Sequence, residues 1–204
     1  MYKFFVKRII DFMISLLLLL LMFPIFIVLT IFLAIANKGK PFFVQKRPGR
    51  NEKIFSILKF KTMDDKKDKN GNLLPDVDRI TRIGAFVRKY SLDEIPQLFN
   101  VLKGEMSFIG PRPLLIRYLP YYKEEENLRH SIRPGITGLA QISGRNVLNW
   151  DDRLGLDVEY VKKLSFVFDM LIVLKTFKNV ITSKDVVIDP NSVMIDLDEY
   201  RSKN

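Results

Sequence analysis

Two carboxylates stand side by side, Asp93 and Glu94, just before a proline in KYSLDEIPQLFN, residues 89 to 100 of a chain that is otherwise heavily basic. Adjacent acids can take a proton as a base or hold a hard cation through oxygen. They can also be purely structural. Ser91, followed three residues later by Glu94, matches the capping box, in which both side chains satisfy free N–H groups at a helix start. Pro96 argues against that use. With Ser91 as the cap, it would fall beyond the first free donors, where proline removes a hydrogen bond and crowds the preceding turn. Proline prefers the first helical position and pushes the residue before it, Ile95, out of the α region. The pair is therefore expected on the irregular lead-in to a helix, where free N–H groups and the helix dipole favour phosphate.

Composition narrows the chemistry. Lys and Arg total 33 against 23 Asp and Glu, for a net charge of +10, which suits a polyanionic partner: nucleic acid, an acidic membrane surface or a phosphate-rich substrate. There is no cysteine and one histidine, His130, so disulfides, zinc–thiolate sites and a cysteine-based centre are excluded. Any divalent metal must then be held by oxygen, which favours magnesium. His130, in NLRHSIRPG, reads as a surface or hinge residue. Arg112 lies between Pro111 and Pro113, and fixed φ on both sides pre-aims its guanidinium. In IRPGITGLAQISGRN, Gly135, Gly138 and Gly144 accompany Arg133 and Arg145. Glycines let backbone approach a ligand and arginine grips phosphate oxygens in pairs, although no P-loop pattern is present.

These residues need a frame. Residues 12 to 36 form an uncharged apolar run with Pro24 at its middle, too long for a cleaved signal peptide. As one straight helix it would reach about 37 Å, enough to cross a hydrocarbon core of about 30 Å. Each half alone matches one leaflet. Lys3, Lys7 and Arg8 precede the run and Lys38, Lys40, Lys46 and Arg47 follow it, so a spanning helix would leave one basic cluster on the wrong side. A spanning helix and a re-entrant helix bent at Pro24 both remain open on these grounds. Two short strands follow, Phe42 to Lys46 and Lys53 to Lys61, with a turn at Pro48 and Gly49, then a solvated loop over 64 to 79. A helix is expected from Thr81 to Tyr90, and helical period extends over 155 to 182, with Asp157 and Asp169 among apolar neighbours. Buried carboxylates there would need arginine or lysine partners. The last 20 residues read as a docked or flexible tail.

Taken together, VKRIID ahead of a proline-broken apolar helix, QKRPG, ILKFKTM, RKYSLDEIPQLFNVLKGEMSFIGPRP, RPGITGLAQISGRN and LDVEYV resemble the small monotopic phosphoglycosyl transferases, a bacterial sugar-transferase family. The resemblance runs from Lys7 to about Asp169. It implies an α+β fold, mainly α-helical. A re-entrant membrane helix hairpin bent at Pro24 would occupy 1–36, a compact cytosolic domain of amphipathic helices with a short β-hairpin 37–184, and a tail 185–204. It implies an enzyme of the bacterial cytoplasmic membrane, facing the cytosol, that moves a sugar-1-phosphate from a UDP-sugar to a polyprenyl phosphate such as undecaprenyl phosphate. On the matching positions, Asp93 would be the nucleophile and Glu94 the magnesium ligand. Arg88, Arg112 and Arg145 would hold phosphate, with Lys59 and Asp157 as further candidates. UDP-linked N-acetylated hexosamines are the expected donors. The chain departs from the pattern at Phe23, where a serine commonly precedes the proline, which bears on how the break at Pro24 is satisfied. The tail leaves room for a homodimer. Two rival readings are a transferase releasing UDP without a covalent intermediate, and a basic membrane-tethered binder, for example of nucleic acid; the arginines sit in Gly/Pro turns beside acids, as a compact catalytic pocket needs, and so no nucleic acid partner is expected.

Overall fold

The structure, a computed structural model, describes residues 2–144, 148–181 and 195–203 and is mainly helical, with two small two-stranded sheets. Behind a π-helical turn at Tyr2–Val6 comes α1 (Lys7–Ala36), long and apolar enough to cross a membrane. Its helical hydrogen-bonding class continues past Pro24. Asn37 ends it, donating from Nδ2 to the carbonyls of Leu33 and Lys61, at 3.0 and 2.8 Å. Lys7, Asp11, Ser15, Leu29 and Leu33 are buried, and Leu18, Leu19, Met22 and Phe26 pack between them, at the three- and four-residue spacing of one helix face. Most other apolar side chains of α1 are exposed. At the amino-terminal end, Lys7 Nζ lies 2.8 Å from Asp169 and Arg8 donates to the carbonyls of Val101 and Leu102. The basic cluster before the apolar run thus grips the rest of the chain.

β1 (Phe42–Pro48) pairs antiparallel with β2 (Ile54–Phe60), Phe42 opposite Phe60 and Pro48 opposite Ile54. The turn falls later than the proline and glycine suggest: Pro48 stays in the ladder, and Arg50–Glu52 turn the chain, with Asn51 and Glu52 at positive φ. Phe26, Phe42 and Phe60 stack at 5.2 to 5.9 Å between ring centres, joining α1 to the hairpin. The polar stretch 64 to 79 is largely loop, closing in a short α2 (Asp76–Arg79), with Asp68 accepting the N–H groups of Asn70 and Asn72.

α3 (Arg82–Lys89) starts where expected, Thr81 Oγ1 accepting the Gly84 N–H at 2.9 Å. Gly84 lets this helix touch the strand end, since a Cβ there would sit 1.9 Å from the Thr62 carbonyl oxygen. α4 (Gln97–Lys103) follows and ends at Gly104, in the left-handed region with φ 81. β3 (Ser107–Ile109) runs parallel to β4 (Gly135–Thr137), so the GPRP turn leaves one edge of a small sheet beside the glycine-rich loop.

Then come α5 (Leu139–Ser143), α6 (Trp150–Lys163) and α7 (Phe166–Ile181). The continuous helical period over 155 to 182 is in fact two helices, interrupted at Leu164 and Ser165. Ser165 Oγ accepts the Phe168 N–H at 3.3 Å, so the serine restarts the helix, and the break lets Tyr160 and Ile172 share one core cluster. The tail lies partly outside the described residues, at 182–194. Its described end forms α8 (Leu197–Ser202), whose Leu197 is fully buried with Leu114, Tyr118, Trp150 and Leu154, while the Trp150 indole donates to the Ile195 carbonyl at 2.8 Å.

His130 is not a surface residue. It is 7% exposed, against the Tyr122 ring, because the 3₁₀ segment Glu125–Ser131 turns it inward. Burial, reinforced by the neighbouring Arg129 charge, pulls its pKa down to about 4. The unfolded chain protonates this histidine near its ordinary value of 6.5, so between those values the unfolded state binds more protons. Stability present above pH 6.5 is therefore expected to fall as pH drops toward 4, by up to about 1.4 kcal/mol per pH unit from this group. Urea unfolding across this window checks it: His130→Gln should flatten the slope, and an unchanged slope would show that His130 does not carry the acid sensitivity.

Candidate active site

Asp93 and Glu94 sit on a 3₁₀ turn, Leu92–Glu94, that feeds α4 through Pro96. This is the irregular lead-in that Pro96 demands, and Ser91 caps nothing: it holds φ 55, ψ 24, a left-handed conformation costly for a residue with a Cβ. Ile95 differs from expectation. It stays in the α region, φ −52, ψ −42, despite the proline after it, because its side chain is buried in the core with Leu98, Val87 and Leu33. Core burial here outweighs the local preference.

Two elements bring cations to the pair. β2 carries Lys59, whose Nζ lies 2.8 Å from Glu94 Oε1 and 3.8 Å from Asp93 Oδ2. Asn100 of α4 fixes that strand in place, accepting the Leu58 N–H at 3.0 Å and donating to the Ser56 carbonyl at 2.8 Å. The GPRP turn carries Arg112, whose Nη2 also reaches Glu94 Oε1, at 3.0 Å. Both contacts fall on the same carboxylate oxygen. Arg88, at the end of α3, is held by Thr62 Oγ1 at 2.8 Å. It lines the same cavity wall and pulls electrostatically on Asp93. Arg145 lies outside the described residues.

Asp157 comes to the site indirectly. It is buried on α6 and takes both Nε and Nη2 of Arg129, at 3.1 and 2.8 Å. Arg129 in turn donates to the Tyr122 hydroxyl at 3.0 Å and to the Arg112 carbonyl at 2.7 Å. The pair thus braces the turn that aims Arg112. Arg129 was not singled out in the sequence, although a buried Asp157 requires a cationic partner; its signal was that requirement, without the partner's address. Asp169 meets the same need through Lys7 and the Tyr160 hydroxyl, at 2.8 and 2.6 Å.

The two acids differ electrostatically. Burial raises the Asp93 pKa from its ordinary value and the Glu94 charge adds to this, against the pull of Lys59, Arg112 and Arg88. For Glu94, burial pushes upward, but Lys59 and Arg112 outweigh it and bring the pKa down to about 2. Glu94 is thus held ionised, and Asp93 is the more basic oxygen of the pair.

Two cavities meet here, of about 600 and 590 Å³. The first is walled by the hairpin residues Phe43 and Val44 and by Thr62 and Arg79; the second by Leu18 and Met22 of α1, Ile136, Gln141 and Arg153. Lys59, Arg88, Asp93 and Arg112 line both. Such a site suits a ligand with clustered negative charge and an apolar portion lying against α1.

Comparison with known proteins agrees in kind. The family described as bacterial sugar transferase matches residues 2–183. EpsL of Bacillus subtilis (strain 168), named an uncharacterized sugar transferase, is 48% identical over 163 residues, covering 79% of this chain and 81% of that protein. The UDP-N-acetylgalactosamine-undecaprenyl-phosphate N-acetylgalactosaminephosphotransferase of Aeromonas hydrophila is 35% identical over 87% of this chain. The undecaprenyl-phosphate glucose phosphotransferase of Komagataeibacter xylinus is 38% identical over 88% of it. The chain spans only 44% and 36% of those two longer proteins. With its apolar α1, its carboxylate pair flanked by cations and a family match over nearly its whole length, the chain belongs to the bacterial sugar transferase family.

Proposed function

We propose that this chain transfers a sugar-1-phosphate from a UDP-sugar to a polyprenyl phosphate through a covalent ester on Asp93, releasing UMP. The observation that carries this reading is that Asp93 is the carboxylate lining both cavities, at the focus of Lys59, Arg88 and Arg112. An Asp93 oxygen attacks the β-phosphorus of the UDP-sugar as the bond from that phosphorus to the α-phosphate oxygen breaks, and UMP departs. An oxygen of the lipid phosphate then attacks the same phosphorus, and the bond to Asp93 breaks, restoring the carboxylate. Both displacements run in line through Asp93, so UMP and the lipid phosphate take the same place in turn. Lys59, Arg112 and Arg88 offset the charge of the crowded phosphates, with Arg145 in the glycine-rich loop as a further holder.

Magnesium fits this donor set. Glu94 is held ionised beside Asp93, and since the described residues offer no cluster of three metal-type side chains, a cation would complete its shell with substrate oxygens and water, as magnesium commonly does. Glu94 would hold it, and when bound it supplies positive charge to the diphosphate.

The anchor is read as re-entrant, with the domain on the cytosolic face of the cytoplasmic membrane. What supports this is that residues on both sides of Pro24 touch one short helix: Arg8 bonds α4 carbonyls, and Phe26 packs on Phe99 of α4 at 5.9 Å. The reaction gives the shallow anchor its use, since a soluble UDP-sugar and the headgroup of a buried lipid must meet at one surface.

Nucleotide release from detergent- or nanodisc-held protein, with magnesium, a panel of UDP-sugars and undecaprenyl phosphate, tests the reading. Lipid-dependent UMP is expected. UDP instead would replace it with the non-covalent glycosyl transfer, and lipid-independent turnover would remove the polyprenyl acceptor.

A further inference from the structure

Gln141 is a polar group in the wall of a cavity that Asp93 and Glu94 also line, and the proposed chemistry does not use it. It lies on α5 and forms part of the wall of the second cavity, near Thr137, Arg153 and Thr176. Its amide Nε2 and Oε1 are both shielded from solvent, and neither has a hydrogen-bond partner among the described residues. Native interiors seldom leave a donor and an acceptor of one side chain unsatisfied, because each has lost water without replacement. The adjacent hydroxyls do not serve it: Thr137 and Thr176 bond each other at 2.8 Å. The backbone makes room for the amide, since a Cβ on Gly138 would come within 2.8 Å of Gln141 Oε1. The named polar groups nearest the dyad are cations and carboxylates, suited to phosphate and metal. Gln141 is instead neutral, and can donate and accept side by side.

We propose that Gln141 is a substrate-recognition residue whose amide hydrogen-bonds a C=O, an N–H or both on the donor substrate: an imide presents the two on one edge, and an acetamido group, whose trans amide points them apart, offers one at a time. This rests on the transferase reading above, in which a UDP-sugar offers such groups in two places, the uracil ring and an N-acetyl group on the sugar. A buried amide built to pair with such a group discriminates strongly, because a substrate lacking it leaves the amide unsatisfied.

Gln141→Met tests this by keeping the length of the side chain and removing both polar atoms. UMP release is measured for wild type and variant with a UDP-N-acetylhexosamine and the matching UDP-hexose at fixed lipid, with UMP and CMP affinities taken by calorimetry. The variant is expected to lose about tenfold or more in kcat/KM, chiefly through KM, with a melting temperature unchanged or raised because an unsatisfied polar group is gone. A loss confined to the N-acetylated donor, with UMP affinity kept, places the sugar's acetamido group on Gln141. An equal loss on both donors, with weakened UMP affinity, places the base there. A kcat/KM within about twofold of wild type on both donors overturns the proposal. A lowered melting temperature with the donor preference and UMP affinity intact overturns it equally, and marks a packing role. Wild type that releases no UMP from any donor removes the transferase reading instead, and the UMP and CMP affinities still decide the role of Gln141 toward the base.

Discussion

Asp93→Asn is expected to lower lipid-dependent UMP release by on the order of 10⁴-fold or more while leaving the fold intact. An amide keeps the shape of the side chain but lacks the charge and nucleophilicity to displace UMP. Stability should not suffer. Asp93 is pushed up by burial and by Glu94, so its charge is opposed by its surroundings, and a neutral side chain relieves that opposition. The measurement pairs UMP release with thermal melting. Retention of more than about a tenth of wild-type turnover would show that Asp93 forms no obligatory covalent intermediate, since losing a nucleophile costs far more than that. A collapse in melting temperature would instead make the acid a structural element of the α4 lead-in.

The largest effect on stability is expected at Arg129, 3% exposed, and its partner Asp157, 2% exposed. Arg129→Met should cost about 3–5 kcal/mol, because it leaves the Asp157 carboxylate buried without its cation and removes the bonds to Tyr122 and Arg112. Arg129→Met combined with Asp157→Leu should recover much of that loss, since two apolar residues leave no charge unmatched, and replacing a whole buried pair is often neutral. Urea unfolding of the two single variants and the double variant gives the coupling energy directly. Additive losses would mean that the two side chains act independently, contrary to the geometry. Activity of the double variant separates bracing from mere stability. A folded double variant is expected to show weakened turnover, because the Arg112 carbonyl has lost its 2.7 Å anchor and the guanidinium over Glu94 is no longer fixed from behind.

What the sequence determined by itself is whatever acts over a few residues. Pro96 kept Ser91 from capping α4, Thr81 began α3, the apolar run became α1, and two short apolar stretches about a turn made the hairpin of Phe42–Pro48 with Ile54–Phe60. Proline geometry, caps, apolar runs and helical period are local, and they leave their mark in the letters. Tertiary structure decided the rest. Period could not separate α6 from α7, because the break at Leu164 and Ser165 interrupts two segments that are each helical. Ile95 took α geometry before a proline because the core held its side chain. His130 became buried because its turn packs on Tyr122. Partner choice was equally hidden: Lys59 reaches Glu94 across 35 positions, Arg129 reaches Asp157 across 28, and Lys7 reaches Asp169 across 162. A buried carboxylate announces that it needs a cation, but several lysines and arginines could answer, and only the packing of distant elements selects one.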